Sequence, residues 1–306
     1  MSEQLHHDEW QGRTDGTNWM HRWLITSLKF LNLRFVYTGM AVFVIPFYML
    51  FSHKSYLAIY HYFRQHHHYG PLKAFRYVYL NHVRFGQIII DRFAAYAGKK
   101  FQFELEGYDM LLNLSQQESG FVILSSHVGN YELAGYAFKS ETKRYCTLVF
   151  SGEAQTVMAN RDRLLSENNI TMIPVKEDMS HVFAISNALA NGDIVSIPCD
   201  RIFGSPRFVV CDFLGSKAHF PLGPYAMALQ RDVPTLAIFI MKESAYKYKG
   251  YIRRIETDSS VTTKNRTEQA AALAQSYVSE LEDILQRYPE QWFNYYEFWQ
   301  ADGKQA

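Results

Sequence analysis

The chain has 306 residues, with 31 Lys and Arg against 30 Asp and Glu, and a net charge of +1 excludes the whole-molecule positive field of a nucleic-acid-binding protein. Hydrophobic residues at 48% and aromatic residues at 16% exclude disordered and low-complexity classes, and the length is ample for building a core. Three cysteines (Cys146, Cys199 and Cys211) stand in no CxxC or Cys/His spacing, which predicts free thiols in a reducing compartment, no structural metal and no cofactor.

Aromatic residues crowd the front of the chain, 23 of the 48 falling in residues 1–103. The first ten residues are polar, unlike a secretory signal peptide. Phe35–Phe51 is an uncharged run of 17 residues containing Pro46. Its length is at the lower limit for a span, so a transmembrane helix and a kinked helix lying in the membrane interface both remain open. The histidine run His66–His68 lacks acidic or cysteine partners at ligand spacing and reads as a solvated or headgroup-facing cluster. Residues 1–103 are therefore expected to form a helical membrane-associating region, and residues 104–306 a catalytic domain.

Beyond residue 120 the pattern changes to short apolar runs alternating with helical stretches. Strands are predicted at Phe121–Ser126, Thr147–Phe150, Thr171–Pro174, Ile194–Pro198, Thr235–Met241 and Tyr248–Ile255. Phe208–Phe213 reads as a strand in an antiparallel pair. Helices are predicted from Tyr131 to Phe138, over Thr156–Asn168, over Ser180–Asn191 up to Gly192, over Gly223–Gln230, and over Thr267–Arg287 up to Pro289. This alternation predicts an α/β fold with a mostly parallel central sheet flanked by helices.

The strongest local feature is Ser125-Ser126-His127-Val128-Gly129-Asn130-Tyr131-Glu132. An apolar strand delivers an imidazole to its carboxyl end, where α/β sheets bind ligands, and a glycine-containing turn leads to an acid that opens a helix. Glu132 can fold back to accept a hydrogen bond from one ring nitrogen, leaving the other to take a proton from a hydroxyl or amine attacking a carbonyl. A core histidine beside an unrelated helix-start glutamate is the plain alternative. Backbone N–H groups of the Gly129–Asn130 turn, or a basic side chain, are candidate donors to an oxyanion.

HVGNYE resembles the H-x4-[DE] signature of glycerolipid acyltransferases, in the HFGNWE-like form of the bacterial lipid A biosynthesis (lauroyl/myristoyl) acyltransferase family. The stretch from Ile197 to Pro234, with Asp200, Gly215 and Gly223–Pro224, is similar to that family's middle block. YPEQWFNYYEFW is similar to its closing PEQWxWxHRRW. The resemblance covers most of residues 30–300. It implies direct transfer of a fatty acyl chain from a thioester, carried by acyl carrier protein or CoA, to a membrane lipid acceptor, with His127 as base and Glu132 orienting it. It implies substrate-binding roles near Asn130, Arg161 or Arg163, Asp200 and Arg201, and a place on the bacterial inner membrane facing the cytoplasm.

Two departures stand out. Asp200-Arg201 replaces the family's Asp-Gln, and Tyr296-Glu297-Phe298 replaces its His-Arg-Arg before the last Trp. Losing two arginines removes bidentate phosphate donors, which points to an acceptor less anionic than a multiply phosphorylated one. An acidic carrier protein would want a basic patch, for which Lys139/Lys143/Arg144 and Arg253/Arg254 are candidates. Two competing readings are a thioesterase with Cys199 as nucleophile and a non-catalytic membrane lipid-binding protein.

Overall fold

Within each central strand, alternate residues point to opposite faces, and these apolar alternations define the sheet and its two covering layers. The computed structural model describes residues 18–51, 53–133, 143–149, 169–175, 178, 180–202, 207–257 and 263–299. Among these residues the strands are β1 (Gln102–Glu106), β2 (Phe121–Ser125), β3 (Tyr145–Val149), β4 (Ile170–Pro174), β5 (Ile194–Pro198), β6 (Phe208–Phe213), β7 (Ser216–Pro221), β8 (Thr235–Lys242) and β9 (Lys247–Arg254). Seven form one sheet in the order β1-β9-β8-β2-β5-β3-β4, parallel at every junction except β8–β9. The expected mixed α/β architecture is the observed one. β6 pairs antiparallel with β7 in a separate hairpin. Its partner SKAHFP carries too much polarity to read as a strand. β1 (QFELE) escapes the sequence for a related reason: it is an edge strand that leaves its alternate residues exposed.

The described helices are α1 (Asn18–Phe30), α2 (Leu33–Gly39), α3 (Ile45–Phe51), α4 (His53–His61), α5 (Pro71–Tyr96), α6 (Tyr108–Ser115), α7 (Ser180–Ala190), α8 (Leu222–Arg231) and α9 (Arg266–Arg287). Val122 and Leu124 of β2, with Ala237, Phe239 and Met241 of β8, face a core completed by α7, α8 and α9. Phe121 and Ile123, with Leu236, Ile238 and Ile240, face the opposite layer with Leu111 and Leu114 of α6. The expected helix over 156–168 lies outside the described residues, as does the part of the Tyr131 helix beyond Leu133.

α5 runs through all three cores. Ala74 and Val78 enter the first, Ile88 the second, and Val83, Ile90, Phe93 and Ala94 pack with Leu28, Leu33, Tyr37, Met40 and Ile45 in a third. Its 26 residues span about 39 Å at the α-helical rise, and Pro71 occupies the first turn, where its missing N–H costs nothing. In front of it, α2 and α3 are joined by a π-helical turn, Met40–Val44, in which Ile45 N–H reaches back to Met40 O. The wider turn sits just ahead of Pro46, whose ring cannot fit the ordinary ladder. Leu33–Phe51 is thereby one apolar helix of 19 residues, mean hydropathy 1.6 and 17% buried, long and apolar enough by length and composition to cross a membrane.

Candidate active site

β2 and β5 are hydrogen-bonded neighbours in parallel register, with Ser125 facing Pro198. His127 and Asp200 stand two residues beyond these paired positions, so the register brings an imidazole and a carboxylate to one point off the carboxyl edge of the sheet. Asp200 engages the histidine with both oxygens. Oδ1 lies 2.8 Å from His127 Nδ1, and Oδ2 accepts the His127 backbone N–H at 2.9 Å. The Asp200 side chain is 1% exposed and that of His127 15%. An ionised carboxylate has no hydrogen to give, so Nδ1 carries the ring proton and the lone pair falls on Nε2.

The electrostatics favour that arrangement. Burial pushes the Asp200 carboxyl up, but His127, Arg201 and the donated backbone N–H outweigh it and hold the group below its ordinary range. For His127, burial and then the Arg201 charge push the pKa below its ordinary 6.5 against the pull of Asp200 and Glu132. The ring is therefore neutral at neutral pH, the form a base requires.

The carboxylate on Nδ1 is thus Asp200, where Glu132 is the orienter expected from the sequence. The helical turn opening at Tyr131 brings Glu132 to α5, where its Oε1 accepts from Arg92 Nη1 at 2.8 Å. Its charge still reaches the histidine. The Gly129–Asn130 turn also differs from expectation. Gly129 N–H donates to Gln291 O at 2.8 Å and Asn130 N–H to Ile240 O at 2.7 Å, so both candidate oxyanion donors are committed inside the protein. Gly129 has φ +57, and a Cβ there would run into Ile240 O, so only glycine lets the turn lie this close to β8. Asn130 is 1% exposed. Its Oδ1 caps the following turn at Leu133 N, and its Nδ2 donates to Tyr248 Oη at 3.0 Å.

Arg201 sends Nη2 to Phe293 O at 2.8 Å and projects its charge onto both His127 and Asp200. Arg161, Arg163 and Lys139 lie outside the described residues. The other basic candidates are engaged locally. Lys143 donates to three backbone carbonyls, Arg144 pairs with Asp193, Arg253 with Glu106 and Glu280, and Arg254 with Glu256. Cys199 is fully buried, its Sγ directed to Ser125 O at 3.1 Å, and burial pushes the thiol far up. Those are the properties of an inert core thiol.

The tail closes over the loop. Val128 bridges Trp292, and Phe293 N–H donates to His127 O at 3.0 Å. Trp292, 1% exposed, packs among Tyr62, Phe213 and Phe298. Behind the loop lies a buried polar group unanticipated from the sequence. The Asp91 carboxylate accepts from Tyr37, Tyr248 and Lys242, with Lys242 and Asp91 side chains 1% and 0% exposed. A signal for it was present, since Asp91-Arg92 interrupts an apolar helix face and Lys242 ends an otherwise apolar strand. A charge there needs a partner.

Fold and site together are those of an α/β protein with a His127–Asp200 imidazole–carboxylate pair at the carboxyl edge of its parallel sheet. The chain belongs to the bacterial lipid A biosynthesis acyltransferase family, whose profile matches residues 86–300. It is an acyltransferase of lipid biosynthesis, using an acyl donor and a lipid acceptor. Comparison with curated proteins finds no match.

Proposed function

We propose that the protein transfers a fatty acyl chain from an acyl thioester, borne by acyl carrier protein or CoA, to a hydroxyl of a membrane lipid. His127 is the general base, Asp200 orients its ring, and Glu132, held by Arg92, adds negative charge nearby. His127 Nε2 takes the proton of the acceptor hydroxyl as its oxygen attacks the thioester carbon. The C–O bond forms, the C–S bond breaks, and the proton passes from Nε2 to the departing thiolate. Arg201 supplies positive charge beside the reacting centre for the transient oxyanion. The observation that carries this reading is the two-oxygen grip of Asp200 on His127 at the sheet edge. Arg161 and Arg163 remain candidate substrate-binding groups on the family resemblance alone.

The acceptor is a lipid less anionic than a multiply phosphorylated one. Supporting this, the tail carries Glu297 and Phe298 where the family pattern carries arginines, and Glu297 pairs with His61 at 2.7 Å. The enzyme sits on the bacterial inner membrane with the site facing the cytoplasm. In favour are the exposed apolar side chains concentrated in α1–α4, among them Phe30 at 85%, Phe43 at 76% and Phe51 at 71%.

The test is mass spectrometry of total lipids from cells with and without the protein, alongside the His127→Ala variant. A new species heavier by one acyl chain, absent with the variant, is expected. Identical lipid profiles, together with only background thiol release by purified protein from acyl carrier and CoA thioesters, would replace this reading with non-catalytic lipid binding.

A further inference from the structure

The turn Val128–Asn130 carries His127 off the end of β2, and its polar atoms lead into one connected set of buried groups. Gly129 N–H donates to the carbonyl of Gln291. The Gln291 side chain is clamped to the end of β8, its Oε1 accepting Lys242 N–H at 2.9 Å and its Nε2 donating to Lys242 O at 3.0 Å. The amide thereby imitates a strand partner where β8 ends. On the other side Asn130 Nδ2 donates to Tyr248 Oη at 3.0 Å. Tyr248 donates in turn to Asp91, which also takes Lys242 Nζ. Gln291, Asn130, Lys242, Asp91 and Tyr248 are each 1% exposed or less.

Apolar side chains of similar volume would hold these segments together at least as well, because burying polar and charged groups costs desolvation. A fully connected polar network adds a single allowed geometry. Here that geometry is imposed on a three-residue turn from α5, β8, β9 and the tail at once, next to a base whose placement must hold to within about 0.5 Å.

We propose that Gln291 and Tyr248 are positioning residues for the acyl transfer. They fix the Gly129–Asn130 turn, and through it the His127 ring, and act on turnover without touching substrate. This rests on the reading of His127 as the base.

The test uses full-length protein carrying Gln291→Leu or Tyr248→Phe, with two readouts. Amide hydrogen exchange over residues 127–130 needs no substrate, and in both variants it is expected to quicken about tenfold or more while the β2 amides stay as they are. In turnover, kcat is expected to fall about tenfold or more with KM for the acceptor lipid held within about twofold, and the acid limb of kcat to move as the ring leaves its setting between Asp200 and Arg201. Unchanged exchange in the turn overturns the proposal whatever the enzyme's substrate. So does a folded variant with parental kcat and pH limb and only a lower melting temperature. If the parent protein turns over no thioester, the proposed function fails by itself, and the exchange readout still decides whether the turn is held this way. Should Gln291→Leu not fold, Tyr248→Phe, which removes one oxygen, decides alone.

Discussion

Asp200 divides its two oxygens between the ring and the backbone of one residue, which makes it both the tautomer-setting group and a clamp on the position of that ring. Asp200→Asn is expected to lower kcat by about 10³–10⁴-fold, because an amide can present a hydrogen to Nδ1 and push the ring proton to Nε2. The pH dependence follows from the neighbouring charges. With His127 as the proposed base, turnover requires the neutral ring, so the acid limb is expected below the ordinary histidine value of 6.5, toward which Asp200 pulls and from which Arg201 pushes. Removing the Asp200 charge therefore shifts the limb to lower pH. Arg201→Gln shifts it to higher pH, and kcat against pH for the two variants checks the opposite signs. Cys199→Ala should keep activity within about threefold, as expected of a small buried thiol that takes no part in catalysis. A loss comparable to that of His127→Ala would overturn direct transfer.

At the level of elements, His127 was legible because an apolar strand, a glycine turn and a helix start are all local signals. Its true partner was not, because the distance from Asp200 to His127 is set by the pairing of β2 with β5, an interaction across 73 positions of chain that local pattern does not encode. Glu132 looked like the partner because nearness in sequence stood in for nearness in space. The helix it opens instead ties it to Arg92 of α5. α5 supplies the matching charge for Lys242 as well, and Asp91→Leu should destabilise the fold by about 3–5 kcal/mol by leaving an ammonium buried without a counter-charge. Thermal unfolding checks this, and pairing the change with Lys242→Met should restore much of the loss, since then neither charge is buried.

Across the whole molecule, most of the exposed large apolar side chains gather in residues 19–57, while around the sheet they are few, Phe183 and Val210 among them. The sequence exposed this asymmetry through aromatic density and the uncharged run Phe35–Phe51, but the π turn that joins the helices beside Pro46 into one apolar rod was announced by no pattern. Phe43→Asp combined with Phe47→Asp should reduce sedimentation with anionic or zwitterionic lipid vesicles about tenfold or more. Raising the salt should change the parent's binding little, because the attraction is apolar.

The buried hydroxyl of Tyr37 belongs to that apolar helix, yet it donates to Asp91 in the polar group behind the turn that follows His127. A fragment trimmed to begin after residue 103 would therefore lose more than the exposed apolar helices. It would strip Lys242 of its only carboxylate among the described residues, open the face on which α5 lies, and release the acid that Arg92 holds. Under the proposed function, the helices that would hold the protein to a bilayer also complete the polar group behind His127, so neither part could be shed or borrowed by another protein without the other.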